Sequence, residues 1–140
     1  MEKVEARLAA AGLPPLTWYD ALWALDRAPG NRLRLHEMAS HIVLSRSNLT
    51  RLIDRLEDAG LVKRERSKTD RRGAFAILTE AGAHIRKTMW PVYKAAIDEL
   101  FAAHVTQQEA ETLERVLNRV LESARNEGVA NETSRSSAKR

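Results

Sequence analysis

The sequence predicts a mainly α-helical fold that contains one small β-hairpin. Over most of the chain, apolar residues recur at the i, i+3, i+4 and i+7 spacing of an amphipathic helix. Residues 61–66 and 74–78 instead contain β-forming residues, and the polar stretch between them is rich in turn-forming residues. The length of 140 residues, with 44% hydrophobic and 30% charged residues, suits one globular domain.

Three short helices are predicted in the first part of the chain. They cover residues 1–11, 17–28 and about 36–42. In the second of them, Thr17 and Asp20 form a capping-box pattern.

A fourth helix is predicted to begin at Ser45, a good N-cap residue, and to stop at Gly60. Only a few residues join it to the third helix, and the predicted hairpin follows it directly. Two short tandem helices followed by a hairpin describe a helix-turn-helix with a wing. The predicted fold is therefore a winged helix-turn-helix lobe accompanied by further helices at both ends.

The remainder of the chain is predicted to form two longer helices and a tail. The first helix covers residues 79–104 and is bent by Pro91, and the capping box of Thr106 and Glu109 opens the second. Residues 126–140 contain almost no large apolar side chains, which predicts a disordered tail.

The net charge of +4 is concentrated in one segment. Between Ser45 and Arg72 there are nine basic and five acidic side chains, so this excess equals that of the whole chain. A localised basic patch is typical of proteins that bind nucleic acid, although charge runs are more often simply solvated surface.

Several function classes find no support in the sequence. The absence of cysteine excludes disulfides and thiolate chemistry, and it suits a reducing cytoplasm, where we expect the protein to reside. No signal-peptide core and no membrane-spanning run is evident. We expect no metal site and no cofactor, because His36 and His41 lack helical ligand spacing and an acidic cluster. We also expect no enzyme, since phosphate-binding loops and nucleophile motifs are missing.

The fourth helix offers a polar face opposite its apolar stripe. The N-terminal residues of a helix in the major groove meet base edges, where Arg recognises guanine and Asn recognises adenine. The predicted DNA-binding residues of this helix are Ser45, Arg46, Ser47, Asn48, Thr50, Arg51 and Arg55. Of these, Arg46 and Arg55 are better placed for phosphates than for bases. Any amphipathic surface helix would show a similar face, and the neighbouring hairpin is what favours DNA binding.

The predicted wing concentrates positive charge. Six basic side chains lie between residues 63 and 73, and Lys68, Arg71 and Arg72 lie in or beside the loop. An anionic partner would relieve their mutual repulsion, and a narrow minor groove attracts arginine. We expect Asp70 to orient a neighbouring arginine rather than to touch DNA.

The stretch LSRSNLTRLIDRLEDAGLVKRERSKTDRRGAFAILTEAG, residues 44–82, resembles the core of the MarR family of transcriptional regulators. The resemblance extends over about residues 13–125 and rests on the fourth helix, the AGLVKR segment, the DRR wing tip and the LTEAG entry to the next helix. It implies a homodimer whose two lobes bind a pseudo-palindromic operator in double-stranded DNA. It also implies that Arg72 enters the minor groove and that Arg71 contacts a phosphate.

Together these observations predict one MarR-type domain over residues 1–125. The DNA-binding lobe would occupy about 30–80, and the dimerisation helices about 1–12 and 80–125. The later helices carry more apolar surface than one small lobe can cover, and this favours a dimer over an intrachain bundle.

The family resemblance further implies a small aromatic or phenolic effector that releases the DNA, so that the protein would act as a repressor. The residues able to line an effector cleft are Trp18, Tyr19, Trp23 and His41, although aromatic residues at helical spacing are more often core. The alternative function is a winged-helix module that binds protein partners without reading a DNA sequence. Salt-dependent affinity for duplex DNA, with extra affinity for a palindrome, separates the two hypotheses.

Overall fold

We describe the protein from a computed structural model. The described part comprises residues 1–42, 44–69 and 73–137, and of residues 125–137 only the backbone. Its helices and strands are α1 (Glu2–Ala10), α2 (Leu16–Arg27), β1 (Arg32–Arg34), α3 (Leu35–His41), α4 (Arg46–Asp58), β2 (Val62–Arg66), β3 (Ala74–Leu78), α5 (Glu80–Leu100) and α6 (Gln107–Ser137). Within this part, none of the helices is both long and apolar enough to cross a membrane.

The chain divides into two compact units, Met1–Ile97 and Asp98–Arg140. The sequence analysis predicts that the DNA-binding lobe ends near residue 80 and that residues 1–12 belong to the dimerisation helices. In the structure, α1 and most of α5 belong to the same unit as the winged lobe, because both bury side chains against α2.

The sheet has three antiparallel strands in the order β1-β3-β2. The predicted hairpin of β2 and β3 is present, with Val62 opposite Leu78 and Arg66 opposite Ala74. The sequence did not predict β1, which pairs Arg32 with Ile77 on the other edge of β3. With three residues, two of them arginines, β1 shows no apolar alternation, and its extended form depends on pairing with β3.

The main core of the first unit lies between α2, α3, α4 and the sheet. The predicted stripe of α4 is buried there, as are residues of α2, α3, β2 and β3. Its fully buried large side chains are Leu22, Leu25, Met38, Ile53, Leu56 and Val62. Burying one such side chain stabilises a fold by about 1.5–3 kcal/mol. This core therefore fixes the position of α4 on the lobe.

A second cluster joins α1, α2 and α5. Val4 and Leu8 of α1 pack with Tyr19 of α2 and with Met89 and Ala96 of α5. Part of the apolar surface of α5 is thus covered by α1 and α2 of the same chain. For this part of α5, the intrachain bundle that the sequence analysis weighed against a dimer is present.

The start of α2 differs from the sequence prediction. The helix begins at Leu16 after Pro15, and its N-cap residue offers no side-chain hydrogen bond, so the predicted capping role of Thr17 was wrong. The backbone N–H of Leu16 instead donates to Oε1 of Glu5 at 3.1 Å. A carboxylate near a helix N-terminus is favourable, and here it comes from α1, which local sequence rules do not consider.

The exit of α4 and the entry of α5 form one joint. Gly60, at φ +72°, ends α4, and the N–H of Leu61 donates to the carbonyl of Leu56 at 2.9 Å. The Thr79 hydroxyl donates to the Gly60 carbonyl at 2.7 Å and accepts from the N–H of Gly82 at 3.1 Å. A Cβ at Gly82 would lie 2.1 Å from the Leu61 carbonyl oxygen, so this approach requires glycine.

The later helices differ from prediction in their ends. α5 includes Pro91 and stops at Leu100 rather than near residue 104, and Ala102–His104 forms a separate 3-10 turn. α6 opens with the predicted capping box, in which the Thr106 N–H donates to Glu109 at 2.8 Å.

The backbone of residues 126–137 is helical, where the sequence predicted a disordered tail. The tail prediction used the lack of apolar side chains, but extending an existing helix needs only one residue to be fixed per added hydrogen bond. No proline follows residue 107 to stop it. Residues 138–140 of the predicted tail lie outside the described part.

Candidate nucleic-acid interface

The N-terminal half of α4 presents a polar, exposed surface. Ser45 lies just before the helix, and its hydroxyl oxygen accepts from the N–H of Asn48 at 3.3 Å, as predicted for an N-cap. The predicted DNA-binding residues of this segment are all exposed: Ser45, Arg46, Ser47, Asn48, Thr50, Arg51 and Arg55. The lobe therefore holds them on one outward surface.

The hydroxyls on this surface are partly engaged within the helix. Ser45 and Ser47 share a hydrogen bond at 3.2 Å, and the Thr50 hydroxyl donates to the Arg46 carbonyl at 3.0 Å. The hydroxyl oxygens keep acceptor capacity, but the proton of Thr50 and that of either Ser45 or Ser47 are in use. The donors best able to reach a partner are therefore the Arg and Asn side chains, which match guanine, adenine and phosphate.

Arg64 ties the wing to α4, a contact that the sequence analysis missed. Its guanidinium forms an ion pair with Asp54, lies 3.6 Å from a carboxylate oxygen of Glu57, and lies within 3.4 Å of the Thr50 carbonyl. The backbone N–H of Arg64 also donates to Glu57 at 3.4 Å. Three residues along α4 are thus joined to one residue of β2.

This contact corrects one interpretation from the sequence, in which Arg64 is one of the six mutually repelling basic side chains of the wing. The sequence analysis assigns no role to Asp54 of α4. In the structure the two charges compensate each other. The sequence contains part of this information, because Asp54 and Glu57 are three residues apart and therefore share a side of the helix. Only the register of the β2–β3 hairpin shows that Arg64 lies beside them.

The described part of the wing is a short hairpin with a polar turn. The N–H of Ser67 donates to the Gly73 carbonyl at 2.8 Å and so closes the loop. Lys68 is exposed at this loop, as a DNA-binding residue there must be. The predicted roles of Asp70, Arg71 and Arg72 concern residues outside the described part.

A cavity of about 730 Å³ lies beside α2 and α3 in the first unit. Two of the four predicted effector residues, Trp23 and His41, line it, together with Asp20 and Arg27. Trp23 is 43% exposed, and the Arg27 guanidinium lies 4.7 Å from its ring centroid. Burial, reinforced by the nearby Glu5 carboxylate, raises the pKa of Asp20 above its ordinary value.

The other two predicted effector residues lie elsewhere. Trp18 packs against the main core. Tyr19 is buried in the second cluster, with its ring centroid 6.2 Å from that of Trp90 and 5.2 Å from that of Tyr93. Trp18 and Tyr19 therefore pack within the chain. This agrees with the alternative that the sequence analysis gave, in which aromatic residues at helical spacing belong to the core.

Histidines and carboxylates do not gather into a metal-binding group within the described residues, where no cluster of three such side chains occurs. The arrangement that stands out is instead an exposed, cation-rich helix beside a basic hairpin. Fold and surface together define a winged helix-turn-helix protein.

Comparisons with known proteins show to which family of winged helix-turn-helix proteins the chain is similar. A family model described as the MarR family matches residues 11–73. The DNA complex of Sco3205, a MarR family transcriptional regulator from Streptomyces coelicolor, aligns with a TM-score of 0.79 and 30% identity. That alignment covers 87% of this chain and 76% of Sco3205.

Two curated relatives agree with this result. The transcriptional regulator MhqR of Bacillus subtilis is 34% identical over 86 residues, which cover 61% of this chain and 59% of MhqR. The transcriptional repressor MprA of Escherichia coli is 28% identical over 121 residues, which cover 86% of this chain and 68% of MprA. The match thus spans about three fifths of the length of MhqR. The chain belongs to the MarR family of transcriptional regulators, and the expected family and fold class are confirmed.

Proposed function

We propose that the protein is a transcriptional regulator that binds a specific sequence in double-stranded DNA. The observation that carries this proposal is the exposed surface of α4, on which Arg46, Asn48 and Arg51 lie in the first turns of a helix fixed by Arg64 to the wing. These side chains match the donor and acceptor pattern of the major groove. The likeness to Sco3205, whose structure contains DNA, supports the same function. The activity is binding rather than catalysis, and it takes place in the cytoplasm, where the chromosome lies.

The direct test is selection of bound duplexes from a random pool. We expect enrichment of a palindrome, because two symmetry-related lobes would read two half-sites about one helical turn, roughly 34 Å, apart. A pool that shows no enrichment after repeated selection would contradict sequence-specific binding. It would favour a winged-helix module that binds a protein partner.

The homodimer is the second part of the proposal. In the second unit, α6 exposes a continuous apolar stripe made of Leu113, Val116, Leu117, Val120 and Leu121. Leu117 and Val120 are 56% and 61% exposed, respectively. Exposed apolar stripes of this kind are covered by a partner in most proteins, and a second copy would also supply the second half-site.

The third part is repression that a small effector relieves. A bound dimer hinders transcription by covering its operator, and the relative MprA is named a repressor. The cavity beside α2 offers Trp23 and His41 as an aromatic wall and Arg27 as a cation, which suits a small aromatic acid.

The effector is tested with 4-hydroxybenzoate as the probe. We expect the probe to quench the tryptophan fluorescence of the protein through Trp23, and to lower the affinity of the protein for the selected duplex. Both effects should be weaker in Arg27→Gln. Lys3→Gln, which changes an exposed cation on α1, is the matched control. Equal quenching by the probe in Arg27→Gln and in the unchanged protein would contradict this placement.

A further inference from the structure

The outer face of the three-stranded sheet carries a set of cations that the sequence analysis did not assign to any function. Arg34 pairs with Phe75 in the β1–β3 ladder, and Phe75 pairs with Glu65 in the β2–β3 ladder. Two residues further along β3, Ile77 pairs with Arg32 of β1 and with Lys63 of β2. Directly opposed residues and residues two apart share a face of a sheet, so all six side chains lie on one face.

This face points away from the main core. The intervening residue of β3 is Ala76, which is fully buried and belongs to the core cluster, together with its neighbour Leu33 on β1. The alternation therefore separates an inner apolar face from an outer face that holds Arg32, Arg34 and Lys63.

Phe75 holds two of these cations in place. The guanidinium carbons of Arg32 and Arg34 lie 4.1 Å and 4.9 Å from the centroid of its ring. Stacking on an aromatic ring restricts a long side chain while its N–H donors remain at the edge of the guanidinium plane. The two guanidiniums are thus ordered before any partner arrives.

The charges on this face are not balanced. Glu65 lies 3.5 Å from Arg32, and within the described residues no carboxylate forms an ion pair with Arg34. A groove of about 290 Å³ at this place is lined by Arg32, Arg34, Arg66 and Lys68, with Glu65 as its acidic member. Among the described residues that line this groove, four cations stand against one carboxylate, a net positive charge that an anion would neutralise.

We propose that this groove, centred on Arg34, binds backbone phosphates of duplex DNA beside the segment that the wing reaches. The groove is continuous with the wing loop, because Ser67, Lys68 and Thr69 also line it. When the loop lies in a minor groove, the face directly behind it meets the phosphates that border that groove. The inference rests on the proposed DNA binding and adds to it a contact surface on β1, outside α4 and the wing tip.

The test is the salt dependence of binding to a duplex of fixed mixed sequence, measured by fluorescence anisotropy. Each phosphate contact contributes about 0.9 to the slope of log affinity against log salt concentration. We expect Arg34→Gln to lower this slope by about 0.9, and Arg34→Lys to restore most of it because the charge is kept.

Two control variants separate the possible outcomes. Lys3→Gln removes an exposed cation of α1, which does not line the groove, and should leave the slope unchanged. Arg46→Gln on α4 should lower the slope. A slope that responds to Arg46→Gln but not to Arg34→Gln would overturn the groove and leave the proposed function standing. If the unchanged protein shows no salt-dependent affinity for any duplex, both proposals fail.

Discussion

Arg51 and Arg46 occupy successive turns on the exposed side of α4, and their positions predict different effects on DNA binding. Arg51 is assigned to a base edge, where a bidentate contact is worth about 1–3 kcal/mol of discrimination. Arg51→Ala should therefore weaken binding to the selected duplex about 10- to 100-fold and change binding to a scrambled duplex far less. Arg46→Ala, which would remove the predicted phosphate contact, should weaken both. Equal losses on both duplexes for Arg51→Ala would remove its role as a base reader.

Arg64 is a second residue whose replacement separates binding from stability. Asp54 and Glu57 are 49% and 41% exposed, so the ion pairs add at most about 1 kcal/mol to stability. Replacing Arg64 by Gln leaves two carboxylates uncompensated on the helix that is proposed to approach an anionic duplex. We expect a small change in the midpoint of thermal unfolding, and a loss of affinity of about tenfold or more, since like charges brought together at an interface cost up to several kcal/mol.

The matched control for Arg64→Gln is the double variant Arg64→Gln with Asp54→Asn. Removing the carboxylate should recover part of the lost affinity, because the unpaired charge and not the missing cation is what repels DNA. A double variant that binds more weakly than Arg64→Gln alone would show that Asp54 itself contacts the duplex.

At the scale of elements, the joint between α4 and α5 predicts a glycine requirement that helix propensity would not suggest. Alanine is about 1 kcal/mol better than glycine inside a helix. At Gly82, however, an added Cβ would meet the Leu61 carbonyl at 2.1 Å and the Leu78 side chain at 2.8 Å. Overpacking costs about 1–3 kcal/mol or more, so Gly82→Ala should lower the free energy of unfolding. Chemical denaturation measures this change.

A control at the neighbouring position keeps that test specific. Ala81 is exposed in the same turn of α5, and Ala81→Gly should cost about 1 kcal/mol through propensity alone. If Gly82→Ala proved more stable than the unchanged protein, the close approach of α5 to Leu61 would be wrong.

The capping box of α6 predicts a dependence on pH. Hydrogen bonds from the Thr106 backbone N–H and from its hydroxyl lower the pKa of Glu109 below its ordinary value of 4.5. A carboxyl whose pKa is lowered by folding adds stability above 4.5, and this contribution is lost as the pH falls through the folded pKa. Amide hydrogen exchange in the first turn of α6 should therefore speed up in acid relative to the rest of the helix. Glu109→Gln should abolish this extra dependence, and if it persisted the capping box would not be its cause.

How much the sequence predicted also depends on scale. The cap at Ser45, the stripe of α4, the hairpin and the box at Thr106 follow local rules of spacing and hydrogen bonding, and the structure contains all four. The third strand, the Glu5 contact at the start of α2 and the Arg64 ion pairs join residues that are distant in sequence, and no local pattern specifies them. Trp23 and Tyr19 were both predicted to line an effector cleft, but only Trp23 lines the cavity, whereas Tyr19 is buried. Contacts with residues distant in sequence decide this difference, so local spacing could not predict it.

At the scale of the whole molecule, the apolar stripe of α6 predicts a homodimer. Leu117→Glu should disrupt it, because a carboxylate would have to be buried in an apolar interface, and burying an unpaired charge is costly. Arg115→Glu introduces the same side chain on the opposite side of α6 and serves as the control. Sedimentation equilibrium should show a dimer for the unchanged protein and for Arg115→Glu, and a monomer for Leu117→Glu. A dimer that survives Leu117→Glu would place the interface elsewhere.

The central claim is that this MarR family protein reads a DNA sequence through α4. Its most direct test compares the selected duplex with a scrambled duplex of equal length over a range of salt concentrations. The account predicts that both affinities fall steeply with salt, while the selected duplex binds roughly 10³-fold or more tightly under the same conditions. Equal affinities for the two duplexes at every salt concentration would contradict the claim.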